Sequence, residues 1–316
     1  MHRIRIGLSS WTDKSLIEES SFYPPEVKDA ESRLRFYASH FPHLVEVNST
    51  YYGLPSERNS RLWSQRTPDD FLFDVKLFSL LTQHPTAPRS LPSDLLSELD
   101  EETRSKRYIY LNHVPAEMAG ELAGRFVAAL RPLAAAGKLG AILAQFPPWF
   151  PPEKRSLAHI DWLREHLGEY RLAVEFRHAG WTDQDHLEGT LDFLRGRDLT
   201  YVCVDEPQGY VSSVPPIAVA TSQALAYVRF HGRRTEMWEK KGVSVQERTK
   251  YLYTEAELAE WAGRIRSLAE QVEEVHVLMN TNYSDYAVRN ARQLRLLLAQ
   301  TPEVCQTSGV CVEDYP

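Results

Sequence analysis

Eight short runs rich in β-branched and aromatic residues alternate with amphipathic stretches along this chain, and that alternation narrows the fold more than any other property. The runs are 4–10 (IRIGLSS), 44–50 (LVEVNST), 71–77 (FLFDVKL), 140–146 (GAILAQF), 171–177 (RLAVEFR), 200–205 (TYVCVD), 226–231 (AYVRFH) and 275–282 (VHVLMNTN). Between them, 29–41, 116–136, 152–167, 183–197, 255–271 and 285–300 carry helical periodicity. Strands separated by helices imply βαβ units and a parallel sheet. Eight such units predict a closed (β/α)8 TIM barrel, an α/β fold. An open Rossmann sheet would place a glycine-rich turn after its first strand, and Gly7-Leu-Ser-Ser-Trp11 is not one.

With 316 residues, the chain fits one such barrel enlarged by insertions in its βα loops. We expect a single domain over 1–300, followed by a patternless tail at 301–316. Segment 83–115, rich in Pro, Ser and charge, reads as a loop or small helices over the top face. Thr182-Asp183, Thr254-Glu255 and Asp285 offer helix starts through capping or first-turn acids.

Alternate side chains of a strand share a face, so polar residues two apart point the same way. Glu46 and Asn48 do so, as do Asp74 and Lys76, Glu175 and Arg177, Arg229 and His231, and Asn280 and Asn282. Gln145 and Asp205 stand near the ends of the fourth and sixth strands. Barrel interiors ordinarily hold branched apolar side chains, so ionisable groups there must be paired, solvated at the mouth, or used. Glu46, Lys76, Glu175, Arg177, Asp205, Arg229 and His231 are therefore expected to converge at the C-terminal mouth. They would form either a binding site or an ion-pair network that plugs the barrel.

The chain resembles the DUF72 family, also called the YecE-like family, a group of TIM-barrel proteins. The likeness runs from about residue 4 to 298 and is carried by short motifs in a specific order. They are Gly7-Leu-Ser-Ser-Trp11, Phe22-Tyr-Pro24, Val45-Glu-Val-Asn-Ser-Thr-Tyr-Tyr52, Phe71-Leu-Phe-Asp-Val-Lys76, Gln145-Phe-Pro-Pro148, Val174-Glu-Phe-Arg-His178 with Trp181, Val228-Arg-Phe-His-Gly232 and Tyr286-Ala-Val-Arg-Asn-Ala291. The departures are Leu8 and Ser10 in the first motif, one residue inserted in Thr82-Gln-His84, and Asn280-Thr-Asn282 where the family has adjacent asparagines. The resemblance implies the barrel and supplies no substrate.

The leading expectation is a metal-independent hydrolase, lyase or isomerase acting on a small anionic or polyhydroxylated substrate. Glu175 would be the general base or acid, with Glu46 and Lys76 beside it and His231 relaying a proton. Lys76, Arg177 and Arg229 would bind negative charge; Asn48, Gln145, Asn280 and Asn282 would orient hydroxyl or carbonyl groups. Trp11, Tyr51, His178 and Asp205 complete the candidate binding set. Lys76 could equally neutralise Glu46, or form a Schiff base if desolvated. Glu46, Glu175, Asp205 and His231 form an N/O set suited to zinc, manganese or iron, but three cations in the same mouth would repel a dication, so no metal or other cofactor is expected.

A net charge of −7 and a pI near 5.9 disfavour sequence-independent binding to a phosphate backbone, which needs a basic surface. Loop 232–250 is nonetheless locally basic through Arg233, Arg234, Lys240, Lys241, Arg248 and Lys250, and it carries Trp238, a candidate lid. The alternatives are thus a nucleotide or single-stranded nucleic-acid binding or repair-associated protein that uses an aromatic rim, or a catalytically silent scaffold. No apolar run reaches the ~18 residues of a membrane span and the start lacks a signal-peptide core. With three cysteines in no framework spacing, a reducing cytoplasm is expected, although Cys305 and Cys311 could pair in the tail.

Overall fold

In the computed structural model, which describes residues 2–168, 170–300 and 310–312, all eight runs are parallel strands. They are β1 (His2–Leu8), β2 (Leu44–Val47), β3 (Leu72–Lys76), β4 (Leu139–Gln145), β5 (Leu172–Glu175), β6 (Thr200–Asp205), β7 (Leu225–Phe230) and β8 (Glu274–Met279). Neighbours in sequence are neighbours in the sheet, and β1 pairs with both β2 and β8, so the sheet closes into a (β/α)8 TIM barrel. Several strands stop short of the runs that encode them. After Val47, for example, Ser49–Tyr51 turns into a 3-10 helix, which lifts the motif's tyrosines onto the rim.

Helices Ala30–His40, Glu57–Gln65, Ala116–Ala135, Lys154–His166, Leu187–Arg195, Glu255–Ala269 and Tyr286–Ala299 form the outer layer. The helix Ala116–Ala135 shows why: Met118, Leu122, Phe126, Leu130 and Leu133 recur at helical spacing and are all buried, one apolar stripe facing the sheet. Thr254 caps its helix in a reciprocal box with Glu257. The other two expected starts differ. Asp285 stands at the N-cap without a side-chain bond, and Asp183 instead folds a turn, accepting from the Asp185 and His186 amides ahead of Leu187. Connection 206–224 contains no helix, so one of the seven connections between consecutive barrel strands is irregular. Insertion 83–115 does carry small helices, Ser93–Glu98 and Glu101–Ser105.

The expected tail also holds a strand. β9 (Val310–Val312) pairs with β1 from His2↔Val310 to Ile4↔Val312. β1 meets β2 at Leu8↔Val45, which leaves its earlier residues an edge that β9 takes. Three residues are too few for a periodic signal. Cys311 lies in β9, whereas Cys305 falls outside the described residues.

Candidate active site

Strand register decides which parity faces the lumen. Glu46 pairs beside Asp74, Gln145 beside Glu175, Val202 beside Tyr227 and Val204 beside Arg229. One step beyond that last pair of strands, Glu206 stands next to His231. Asp205 pairs with Phe230 on the opposite face, which corrects the expectation that it enters the mouth. Its carboxylate accepts from Trp261 Nε1 at 2.6 Å, Tyr253 Oη at 2.7 Å and Arg233 Nη2 at 2.7 Å, anchoring β6 to helix Glu255–Ala269. Glu206, absent from the expected set, takes the inward place and accepts from Arg177 Nη1 at 2.6 Å and the Val214 amide at 2.8 Å.

The remaining six ionisable residues converge. Arg229, fully buried, donates to Glu46 through Nη2 at 2.6 Å and Nε at 2.9 Å, and to Glu175 through Nη1 at 2.5 Å. Arg177 Nε donates to Glu175 at 2.7 Å, and His231 Nε2 lies 3.1 Å from the same carboxylate. Burial alone would raise the Glu175 carboxyl. Arg229 and Arg177, helped by His231, overcome it and hold Glu175 well below the usual carboxylate range. His231 is pushed the other way: burial, then Arg177, lowers it to about 3, so its imidazole is neutral at physiological pH. Its Nδ1 meets Asn280 Nδ2 at 2.9 Å, and Asn282 Nδ2 donates to Asn280 Oδ1 at 3.2 Å.

Lys76 differs from both arginines. Its amine donates to Gln145 Oε1 at 2.8 Å and sits 4.5 Å from the centre of the Tyr51 ring, with no carboxylate in ion-pair reach among the described residues. Gln145 Nε2 passes the contact on to Glu175 at 2.6 Å. Burial, then the field of Arg229, depresses the Lys76 amine to about 7 despite the opposing pull of Glu46 and Glu175.

Above this layer opens a cavity of about 640 Å³. Lys14, Lys76, Arg177, Arg229, His231 and Arg248 border it, together with Asn48, Tyr51, Gln145, Asn280 and Asn282. Glu46, Glu175 and Glu206 do not; they lie beneath the cations. Asp13 is the one acid on the wall among the described residues, and its carboxylate is turned to Ser15 and Leu16 at the start of helix Lys14–Glu18. Among the described residues, three buried polar atoms of the cavity's lining residues lack a hydrogen-bond partner: the Ser9 hydroxyl, Asn48 Oδ1 and Arg248 Nε. His84, a second unexpected member, lines the same cavity 5.2 Å from Tyr51, and burial together with Lys76 keeps it neutral.

Two expected binding residues lie elsewhere. Trp11 is buried edge-on against Trp63 and Phe73, its bulk better used in the wall than at the rim. His178 accepts the Gly180 amide and caps the short helix Ala179–Trp181. Trp238 does cover the mouth, with the Arg177 guanidinium 5.1 Å from its ring. The basic loop is less basic than its composition. Arg233 pairs with Asp205, Glu257 and Glu260, and Arg234 with Glu236 and Glu247.

Among the described residues no three His, Cys, Asp or Glu side chains are grouped to hold a metal ion, and no helix is long and apolar enough to cross a membrane. A family model described as "Protein of unknown function DUF72" matches residues 5–310. The UPF0759 protein YunF of Bacillus subtilis (strain 168) is 32% identical over 298 residues, covering 93% of this chain and 94% of that protein. Two crystal structures are similar throughout. A DUF72 family protein of Enterococcus faecalis V583 has a TM-score of 0.75 at 26% identity, with 95% of this chain and 97% of that chain covered. Another from Thermotoga maritima MSB8 scores 0.71 at 30% identity, with 95% and 100% covered.

Proposed function

This chain belongs to the DUF72 family, and we propose that it is a cytoplasmic, metal-independent acid/base enzyme acting on a small anionic or polyhydroxylated substrate in the barrel mouth. The observation that carries this reading is the layering of charge: cations border the cavity while the carboxylates that balance them are buried below. An anion entering such a cavity meets donors first, in a site whose walls exclude much of the water that would screen them. Glu46 and Glu175 are already engaged by guanidinium groups, which leaves little negative potential for a dication.

The geometry also distributes the chemical roles. Glu175 does not border the cavity, so it acts by positioning Arg177, Gln145 and His231 rather than as the direct base. Lys76 is the group that faces substrate and exchanges a proton near neutrality, where general acid/base catalysis is most effective. His231 stays neutral between Arg177 and Asn280, which both meet it with N–H donors, so it positions them and carries no proton between them. Asn48, Gln145, Asn280 and Asn282 orient hydroxyl or carbonyl oxygens, and the Tyr51 ring packs against the Lys76 amine.

Calorimetric titration with inorganic sulfate, whose charge is constant around neutrality, tests the reading. Binding should weaken as pH rises through about 7, because Lys76 then loses the proton that attracts the anion. The variant Lys76→Met should bind about tenfold more weakly, roughly 1.4 kcal/mol, and show no such pH dependence. Affinity unchanged by both pH and the substitution would contradict it.

A further inference from the structure

We propose that Lys76 is a covalent catalytic residue that condenses with an aldehyde or ketone carrying a carboxylate or phosphate, forming an imine in the barrel mouth. The inference rests on the anion-binding reading above and narrows its substrate to carbonyl compounds.

The first observation is a contrast among Lys76, Arg177 and Arg229, three of the cations that border the mouth. Arg177 and Arg229 are each tied to two carboxylates at 2.5–2.7 Å. Lys76, the one lysine in the strands β1 to β9, has a single neutral hydrogen-bond partner, Gln145. An amine required only to neutralise Glu46 would sit in ion-pair contact with it; this one is held away from both buried glutamates by an amide. Lys76 borders the cavity with its nitrogen 4.5 Å from the centre of the Tyr51 ring. Burial favours the uncharged form of an amine, and only that form has a lone pair to give.

The second observation is independent of Lys76. Ser9 and Asn48, which follow β1 and β2 and border the same cavity, hold a buried hydroxyl and a buried amide oxygen with no hydrogen-bond partner among the described residues. Buried polar atoms without partners are uncommon, and this pair, one donor and one acceptor, suits an oxygen that changes from carbonyl to hydroxyl. The Asn48 amide is itself fixed by its 2.5 Å bond to the Ser9 carbonyl.

The chemistry closes without any further reagent. The Lys76 lone pair attacks the carbonyl carbon, a C–N bond forms, and the C=O π pair moves to oxygen, where the Ser9 hydroxyl supports it. A proton passes from nitrogen to that oxygen to give the carbinolamine, whose hydroxyl accepts a second proton from solvent in the cavity and departs as water. The nitrogen lone pair then forms the C=N bond, leaving the imine protonated on nitrogen. Water addition reverses each step and regenerates the amine. The cation-lined wall holds the carboxylate or phosphate of the substrate throughout, and the imine draws electrons from its neighbouring carbon, which is the use enzymes make of such lysines.

The test is reductive trapping on the intact protein at neutral pH. The protein is incubated with pyruvate, glyoxylate or glyceraldehyde 3-phosphate in the presence of sodium cyanoborohydride, which reduces an imine to a stable secondary amine, and modified lysines are located by peptide mass mapping. At least one of the three probes should modify Lys76 about tenfold faster than any surface lysine, since burial favours the uncharged form of the Lys76 amine. Excess inorganic phosphate should slow that labelling, and the variant Lys76→Arg should leave only the slow surface background. Labelling of Lys76 no faster than the surface lysines with all three probes overturns the proposal, and the wild-type map decides this even if the variant fails to fold. A phosphate-induced rise in melting temperature without adduct overturns the covalent step alone. Absence of both the rise and the adduct overturns the anion-binding reading with it.

Discussion

The two ends of this barrel's interior are both charged, yet they are built for different ends. At the N-terminal end, Arg5 Nε and Arg171 Nη1 hold Glu274 at 2.6 and 2.8 Å, and His276 Nδ1 meets Asp74 at 2.9 Å. Gly140 makes room for this packing, because a Cβ there would run into the Asp74 carboxylate. At the C-terminal end, Arg229 joins Glu46 to Glu175 in a similar way, but Lys76 and Arg177 continue into an open cavity. Tyr227 links the two regions, its hydroxyl on Glu46 at 2.9 Å and its ring beside His276. The histidines record the difference. Burial would lower His276, but Asp74 and Glu274 raise it to about 9, whereas His231, next to Arg177, falls to about 3. The N-terminal cluster borders a smaller cavity of about 420 Å³, but there Glu274 shares the wall with Arg5 and Arg171, whereas at the mouth the paired carboxylates lie beneath the cations, which leaves positive charge available to a ligand.

The most damaging way to break this comparison is to remove the residue that closes the mouth layer from below. Arg229→Met leaves Glu46 and Glu175 buried without the guanidinium they share, and should cost about 3–5 kcal/mol of stability in urea unfolding. A loss below about 1 kcal/mol would mean that the two carboxylates are not ionised together.

A second effect separates the ends by pH. His276 has a folded value raised above its unfolded one, so its stabilising contribution is complete below about 6.5 and is lost as pH climbs to about 9. The stability difference between the wild type and His276→Gln should shrink by about 3 kcal/mol across that window, a comparison that cancels the opposite pH dependence contributed by the lowered Lys76 amine. A difference that does not change with pH would place the proton elsewhere. Lys76→Met should give the smallest change, within about 1 kcal/mol, since it removes an amine that burial already disfavours while altering the anion affinity described above. A large loss of stability in that variant would assign Lys76 to the structural network instead.

How much of this was legible in the sequence follows from which signals are local. The alternation of β-rich and amphipathic segments placed all eight strands, and the two-residue spacing of Glu46/Asn48, Asp74/Lys76 and Arg229/His231 identified their inward faces. What pairwise spacing does not carry is the register between strands. Asp205 and Glu206 are adjacent and both acidic, and only the pairing of Val204 with Arg229 sends Glu206 inward and Asp205 outward. Depth is similarly hidden: Asp74 and Lys76 share a face, yet one reaches the N-terminal network and the other the mouth. Trp11 and His178 follow strands as rim residues would, but their contacts come from helix Glu57–Gln65 and a local turn that the strand pattern does not specify. The basic loop 232–250 misled through composition, because the partners of Arg233 include Glu257 and Glu260, which lie beyond it in the chain.

The layering of charge itself can be read directly by soaking crystals of the protein in sodium bromide and mapping the anomalous signal. The account predicts a bromide in the mouth cavity against Lys76 and Arg177, lost in Lys76→Met, and none within the N-terminal network, where Glu274 already occupies Arg5 and Arg171. Bromide against Arg5 and Arg171 with an empty mouth would contradict the central claim.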